Sequence, residues 1–382
     1  MHQSHSLQQL RIAGILFIIL QTTCVNRSNA MNPAGFELHR GVNLSHWLSQ
    51  NFGWSPKTTF ITEQDIKYID SIGYDHVRIP IDEAELWDTA GKPIDEQFAF
   101  LTNCLNWCAK YNLRAIVDLH ILRSHYFNAA NEGGTNSLWT DTNAQETFLR
   151  LWRDLSARLK QYPVSKVAYE IMNEPVAENP EDWNKLIGKA VKTLRALEPQ
   201  RVLVIGSNMW QIPGTFPQLK IPANDPNIIL SLHTYSPLFF THHLANWVAF
   251  KVYKGSVHYP GQVVTDADYD AFVHQDSLLA QVMRNSREVW NKKKFSEELQ
   301  PAIQRAQELG LQLFCGEFGC LPHVDRNERL LYYRDITSVF DENHIAYCNW
   351  EYKGDFGIYT FDFEKKISLS PDFDLIHILT KK

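Results

Sequence analysis

"VAYEIMNEPVAENPEDWNKLIGKAVKTLRALEPQRVLVIGSN", Val167 to Asn208, opens with a short apolar run. It continues into a longer segment whose apolar residues recur at i, i+3, i+4 and i+7, then returns to a second short apolar run. The short runs have the length and β-branched content of strands, and the middle segment reads as a helix with one apolar face. A strand, a crossover helix and a second strand make a βαβ unit, which forces the two strands to be parallel.

Outward from this unit the same alternation covers the chain from about residue 36. The strand candidates are "HRGVNLS" (39–45), "HVRIPI" (76–81), "RAIVDLH" (114–120), "VAYEIMNEP" (167–175), "RVLVIGSN" (201–208), "IILSLHTY" (228–235), "LQLFCGEFG" (311–319) and "HIAYCNWEY" (344–352). Helical patterns such as "ITEQDIKYIDSIG", "FAFLTNCLNWCAKYN" and "NAQETFLRLWRDLSARLKQ" lie between them. Strand then helix, eight times over with no linker, predicts a (β/α)8 TIM barrel in one domain, residues 31–382. The exception is a stretch of about fifty residues after Tyr235, before a helix resumes near Ser286. A long insertion after strand 6 would sit on the face where barrels place their active sites.

Composition narrows the ligand. The 382 residues carry a formal net charge of −6 and no Lys/Arg cluster, so the electrostatic footprint of a nucleic-acid binder is missing and neutral or weakly charged ligands are expected. His2, His5 and Arg11 precede the apolar run "IAGILFIIL", and "SNA" at 28–30 offers small residues for cleavage, so residues 1–30 are expected to be an export signal. The run is short of the roughly 18 residues a span needs, which leaves the mature chain without a membrane span, periplasmic or secreted. "QTTC" makes lipid attachment at Cys24 a minor alternative. Cys104, Cys108, Cys315, Cys320 and Cys348 remain after cleavage, an odd count that argues for buried free thiols. A monomer without cofactor is expected.

Polar residues gather at the C-terminal ends of the strands. By alternation Asp118 shares a face with His120, His233 with Tyr235, Cys315 with Glu317 and Cys348 with Trp350. Glu174 ends strand 4 and Glu317 ends strand 7, so both belong at the barrel mouth. Two facing carboxyls can divide glycosidic cleavage, one protonating the leaving oxygen and the other attacking the anomeric carbon. A single Glu is more often a solvated surface acid; the joint placement decides against that. Asp118, His120 and His233 are a donor set for a divalent cation, but strand 1 lacks the His-x-His spacing of barrel metal sites, and no metal is expected.

"NEP" and "GEFG" at two strand ends, with "VRIP" on strand 2, "DLH" on strand 3, "HTY" on strand 6 and a Trp ending strand 8, resemble glycoside hydrolase family 5, the cellulase-type family of clan A. The resemblance runs from about Gly41 to Trp350 and implies a retaining β-glycosidase. It implies Glu174 as general acid/base, Glu317 as nucleophile, Arg78 as the cation that keeps Glu317 ionised, and Tyr235 as a donor to the same carboxylate. Asn173 would bind the sugar 2-hydroxyl, His120 and His233 would line the subsite, and Trp350 would stack on a sugar after a cis bond to Glu351. Alternation would send Asn173 away from Glu174, so a kink before Pro175 is expected to re-aim one of them. Glu170, one layer below Glu174, is expected to be structural, with Arg78 its nearest cation.

Among the aromatics Trp47, Trp54, Trp139, Trp210, Tyr259 and Trp350, the choice lies between sugar platforms and core. Trp47 and Trp210, just past strands 1 and 5, are assigned to substrate contact, with His46 and Gln50 beside them; Trp107 and Trp152 are assigned to the core. The substrate implied is a polysaccharide or oligosaccharide, first a β-1,4-glucan cut internally. Mannan, xyloglucan and β-1,3-glucan are the alternatives, and a sugar-binding barrel without catalysis is the reading from another class. The insertion after Tyr235 is expected to set substrate choice, so that replacing Leu238–Val264 would spare small aryl glycosides.

Overall fold

The computed structural model describes residues 32–381 apart from 52, 54, 55, 130–133, 275 and 276. The proposed export signal, Cys24 and Trp54 therefore lie outside the described residues. Eight parallel strands close a barrel: β1 (Arg40–Asn43), β2 (His76–Asp82), β3 (Arg114–Ile121), β4 (Val167–Glu170), β5 (Leu203–Gly206), β6 (Ile228–His233), β7 (Gln312–Glu317) and β8 (Ala346–Asn349). Each pairs with its sequence neighbours, and β1 closes on β8.

Alternation along these strands produces two cores. Outward residues such as Val77, Ile79, Val117, Leu119, Leu230 and Leu232 pack against the helices. Inward residues Ile116, Ala168, Val204, Ile229 and Phe314 fill the lower barrel, which Phe36 and Leu38 plug from below. The upper inward positions are polar, so one end of the barrel is dry and the other is built for chemistry.

The helices that follow the barrel strands are α1 (Glu63–Ser71), α2 (Asp95–Lys110), α3 (Thr142–Leu159), α4 (Pro180–Leu197), α5 (Lys292–Leu309), α6 (Arg326–Glu342) and α7 (Phe373–Thr380), with single turns at Lys57–Phe60 and Glu83–Leu86. In α4 the Asn179 side chain caps the first turn, and Trp183, Leu186, Ile187, Ala190, Val191 and Leu194 form its buried stripe. The expected eightfold alternation fails once. Between β5 and β6 stands only a 3-10 turn, Pro213–Gln218, because Pro213 and Pro217 lack the N–H groups an α-helix needs. Helix α5 also begins later than expected, at Lys292 behind the cap Asn291 and not near Ser286.

The insertion after β6 contains three short helices, Leu238–Thr241, Asp266–Val273 and Ser277–Val282, and a ribbon pairing Gly261–Gln262 with Val289–Trp290. Much of it packs on itself and on α5 and α6. Phe239 stacks on Phe250 at 4.1 Å. Tyr259 is fully buried against Phe240, Phe295 and Tyr332, and its hydroxyl donates to Asp335. It is core and not a sugar platform.

Trp47 also departs from expectation. Its ring is completely buried, packs on Phe100 of α2, and donates to the Lys57 carbonyl at 2.9 Å. The chain after β1 turns the indole outward into the helix layer, so Trp47 cannot meet substrate. Trp139 is wedged against His125 and Trp183. Trp152 is buried in the core, Trp107 packs on it half-buried, and the five cysteines are buried and free. Among the described residues no helix is long and apolar enough to cross a membrane.

Candidate active site

Arg78, the third residue of β2, organises the polar end of the barrel. It is fully buried. Its guanidinium donates to Glu317 (2.7 Å), Glu170 (2.7 Å), Asn173 (2.8 Å) and Asn43 (3.0 Å), and Asp118 lies 3.0 Å away. A buried cation is tolerated only when its desolvation is offset by such partners. Asn43 at the end of β1 holds the arrangement by donating to the carbonyls of Gly316, Cys348 and Asn349. Glu170 takes two bonds from Arg78 and one from Gln211, as a structural acid would.

The two acids of the mouth are aimed by local breaks in the strands. On β7 alternation puts Phe314 inside and Cys315 in the outer core, which would send Glu317 outward with Cys315. The pairing of β6 with β7 shifts between Leu232–Cys315 and His233–Glu317, leaving Gly316 as an extra residue. That bulge turns Glu317 into the mouth. The expected sharing of a face by Cys315 and Glu317 is thereby corrected. Glu174 has φ +40, a left-handed conformation that lets Asn173 and Glu174 both reach the site. The following residues are clamped: Val176 donates to His125, Ala177 to Asn208, and Trp210 to the Pro175 carbonyl.

Tyr235 donates to Glu317 at 2.9 Å, and His233 Nδ1 lies 2.9 Å from Glu174 and 3.7 Å from Glu317. One carboxylate oxygen of Glu174 and one of Glu317 are within 4.8 Å of each other. Burial, then the Glu317 charge, pushes the Glu174 carboxyl well above the usual carboxylate range. Burial also raises Glu317, against the pull of Arg78, so the cation moderates the shift without reversing it as expected from the sequence. With Arg78 and Tyr235 bound directly to Glu317, the proton of the pair resides on Glu174. Burial, then Arg78, takes His233 well below its ordinary pKa and keeps it neutral.

His120 pairs with Asp118 through Nδ1 at 2.6 Å and stacks on Trp350, ring centroids 5.6 Å apart and nearly parallel. The Trp350–Glu351 peptide is cis. His46 lies edge-on to Trp350 and pairs with Glu351 at 3.0 Å, and the Gln50 amide is held by Asp82. Trp210, half-buried, donates its ring N–H to the Phe127 carbonyl, beside the loop that follows Glu174. Sequence reasoning missed Asn43, Gln211 and Glu351; Asn43 carried a signal, as a polar residue ending a strand. Trp247, at the end of the insertion's "FFTHHLANW" stretch, is 41% exposed. The oxygens and nitrogens of Glu174, His233 and Glu317, and of His46, Glu351 and Asp355, are close enough to hold a cation. In the first set burial pushes the Glu174 carboxyl upward and Glu317 already bonds Arg78 and Tyr235, a donor set suited to acid–base work.

The family model described as Cellulase (glycosyl hydrolase family 5) matches residues 26–355. Endoglucanase C of Acetivibrio thermocellus is 33% identical over 348 residues, 90% of this chain and 98% of that protein. Cellodextrinase A of Ruminococcus flavefaciens is 26% identical over 80% of this chain and 83% of its own. The solved endoglucanase Cel5A of Thermotoga maritima shares the fold, with a TM-score of 0.69 at 24% identity over 89% of this chain and 96% of that one.

Proposed function

The chain belongs to glycosyl hydrolase family 5, and on that footing we propose that it is an endo-acting β-1,4-glucanase working by double displacement, with Glu317 as nucleophile and Glu174 as acid/base. The observation that carries this is the pair of buried carboxyls with oxygens within 4.8 Å of each other, Glu174 pushed well above the usual carboxylate range and Glu317 held by Arg78 and Tyr235. Retaining enzymes keep the two groups about 5–5.5 Å apart, whereas inverting ones leave roughly 6.5–9.5 Å for a water between them.

In the first half-reaction a Glu317 oxygen attacks the anomeric carbon while Glu174 gives its proton to the leaving glycosidic oxygen. Once Glu317 is esterified its charge is gone. The main charge that raised the Glu174 pKa goes with it, so Glu174 is ready to act as base. It takes a proton from water, the hydroxide replaces Glu317 at carbon, and the anomeric configuration is restored. Asn173 Nδ2 is buried with no partner among the described residues, which suits it to donate to the sugar 2-hydroxyl. Trp350 backs the reacting ring, and His120 supports Trp350 by stacking. Trp210 stays a substrate contact in this proposal.

The β-1,4-glucan preference rests on the relatives named endoglucanase, with mannan, xyloglucan and β-1,3-glucan as the competing substrates. Products from cellulose, glucomannan, laminarin and xyloglucan would rank them. Proton NMR of an aryl β-cellobioside digest should show the β-anomer first, with Glu317→Ala inactive. An α-anomer released first would sink the double displacement. The mature enzyme is further proposed to be an exported monomer beginning at Met31; mass spectrometry of protein recovered outside the cytoplasm would locate that end.

A further inference from the structure

Resting on the endoglucanase function just proposed, we infer that Trp247, on the insertion between β6 and α5, is a platform for a glucose residue beyond the subsites an aryl cellobioside fills. Trp247 is 41% exposed, whereas Trp47 is fully buried and Trp350 only 7% exposed. The part of Trp247 left in solvent is apolar ring surface that a sugar face can cover.

The ring is backed on its inner side. Its centroid lies 6.1 Å from His242 and 6.5 Å from Phe356. Both of those rings pack on Tyr235, at 5.0 and 5.8 Å, and Tyr235 donates to Glu317. Trp247 therefore stands two ring contacts from Tyr235, the residue that donates to Glu317.

The segment that carries it is fixed to the barrel. Ala245 is buried in one cluster with Trp350, Phe356 and Leu321, against which Val248 and Tyr235 pack. His242 is held through Nδ1 by Thr241, and burial lowers its pKa to about 3, so a neutral ring supports the ledge at working pH. The occupant that fits is a neutral pyranose with equatorial hydroxyls, because its C–H face is apolar and flat enough to lie on an indole. A β-glucan chain threaded through the mouth supplies such rings on either side of the bond cut.

Steady-state kinetics of the full chain, Trp247→Ala and Trp247→Phe on cellohexaose and on an aryl β-cellobioside test this. The alanine variant should raise KM for cellohexaose about tenfold, and the phenylalanine variant about threefold or less. The aryl cellobioside kcat/KM and the melting temperature should stay near wild type. Equal losses on both substrates, or none on cellohexaose, would overturn the platform. A wild type that cuts mannohexaose and not cellohexaose would overturn the substrate assignment instead, and the same variants on mannohexaose would then decide Trp247.

Discussion

At the scale of single residues the mouth is a charge problem, because Arg78 faces the carboxyls of Glu170, Asp118 and Glu317 with Glu174 close behind. One cation cannot hold all four ionised in a dry site, so protons remain on some of them. Asp118 shows the effect: burial outweighs Arg78 and raises it from 3.8 to about 7. A folded-state pKa above the unfolded one gives stability that is fully present below the unfolded value and lost as pH rises through the folded one. For Asp118 that window runs from about 4 to about 7. His120, lowered to about 4, is neutral through most of it. In Asp118→Asn the loss is absent, so thermal melts should show the variant gaining on wild type between pH ~4 and ~7 and no further above ~8. A gap that closes in the wild type's favour over that range would mean Arg78 keeps Asp118 ionised. The gathering of Asn173, Glu174, His233, Tyr235 and Glu317 was legible because they lie at or just past strand ends, and that of Arg78 because it is a cation on the inward face of β2. The net direction of the Glu317 shift was not, since burial is a property of the assembled barrel.

At the scale of elements, catalysis depends on where the strands stop being regular. The bulge at Gly316 aims Glu317, and the left-handed Glu174 aims the acid. A Cβ on residue 316 would meet Ser231 Oγ at 2.8 Å and His233 Nε2 at 2.9 Å, closer than side chains tolerate. Gly316→Ala should therefore displace the imidazole that bonds Glu174. We expect kcat to fall about 10- to 100-fold and stability about 1–3 kcal/mol, read by single-turnover kinetics and urea unfolding. A folded variant with unchanged kcat would show that His233 does not position Glu174. The barrel itself was legible because parallel strands buried on both faces leave unbroken apolar runs between amphipathic helices. Strict alternation misplaced Cys315 relative to Glu317, because a bulge is set by pairing with the neighbouring strand, which sequence does not display. The missing helix between β5 and β6 had a visible cause in Pro213 and Pro217.

At the scale of the whole molecule, tryptophans with similar local sequence surroundings end in different layers. Trp47 and Trp350 both follow barrel strands, yet one fills the helix layer and the other backs the mouth, and only the packing partners Phe100 and His120 tell them apart. The same division runs through the insertion. Its Ala245–Val248 stretch joins the mouth, whereas Phe240, Tyr259, Val263 and Val264 belong to the outer core with Phe295 and Tyr332. Replacing Leu238–Val264 by a short linker would remove those four buried side chains and uncover their neighbours. Each fully buried residue of this size is worth about 1.5–3 kcal/mol, and a native domain has only about 5–15 kcal/mol in hand. The replacement should thus lower the melting temperature steeply and depress activity on every substrate, aryl glycosides included, where the sequence alone led us to expect them spared. An excised protein that melts within a few degrees of wild type and loses only polysaccharide activity would show that the outer core closes without the insertion.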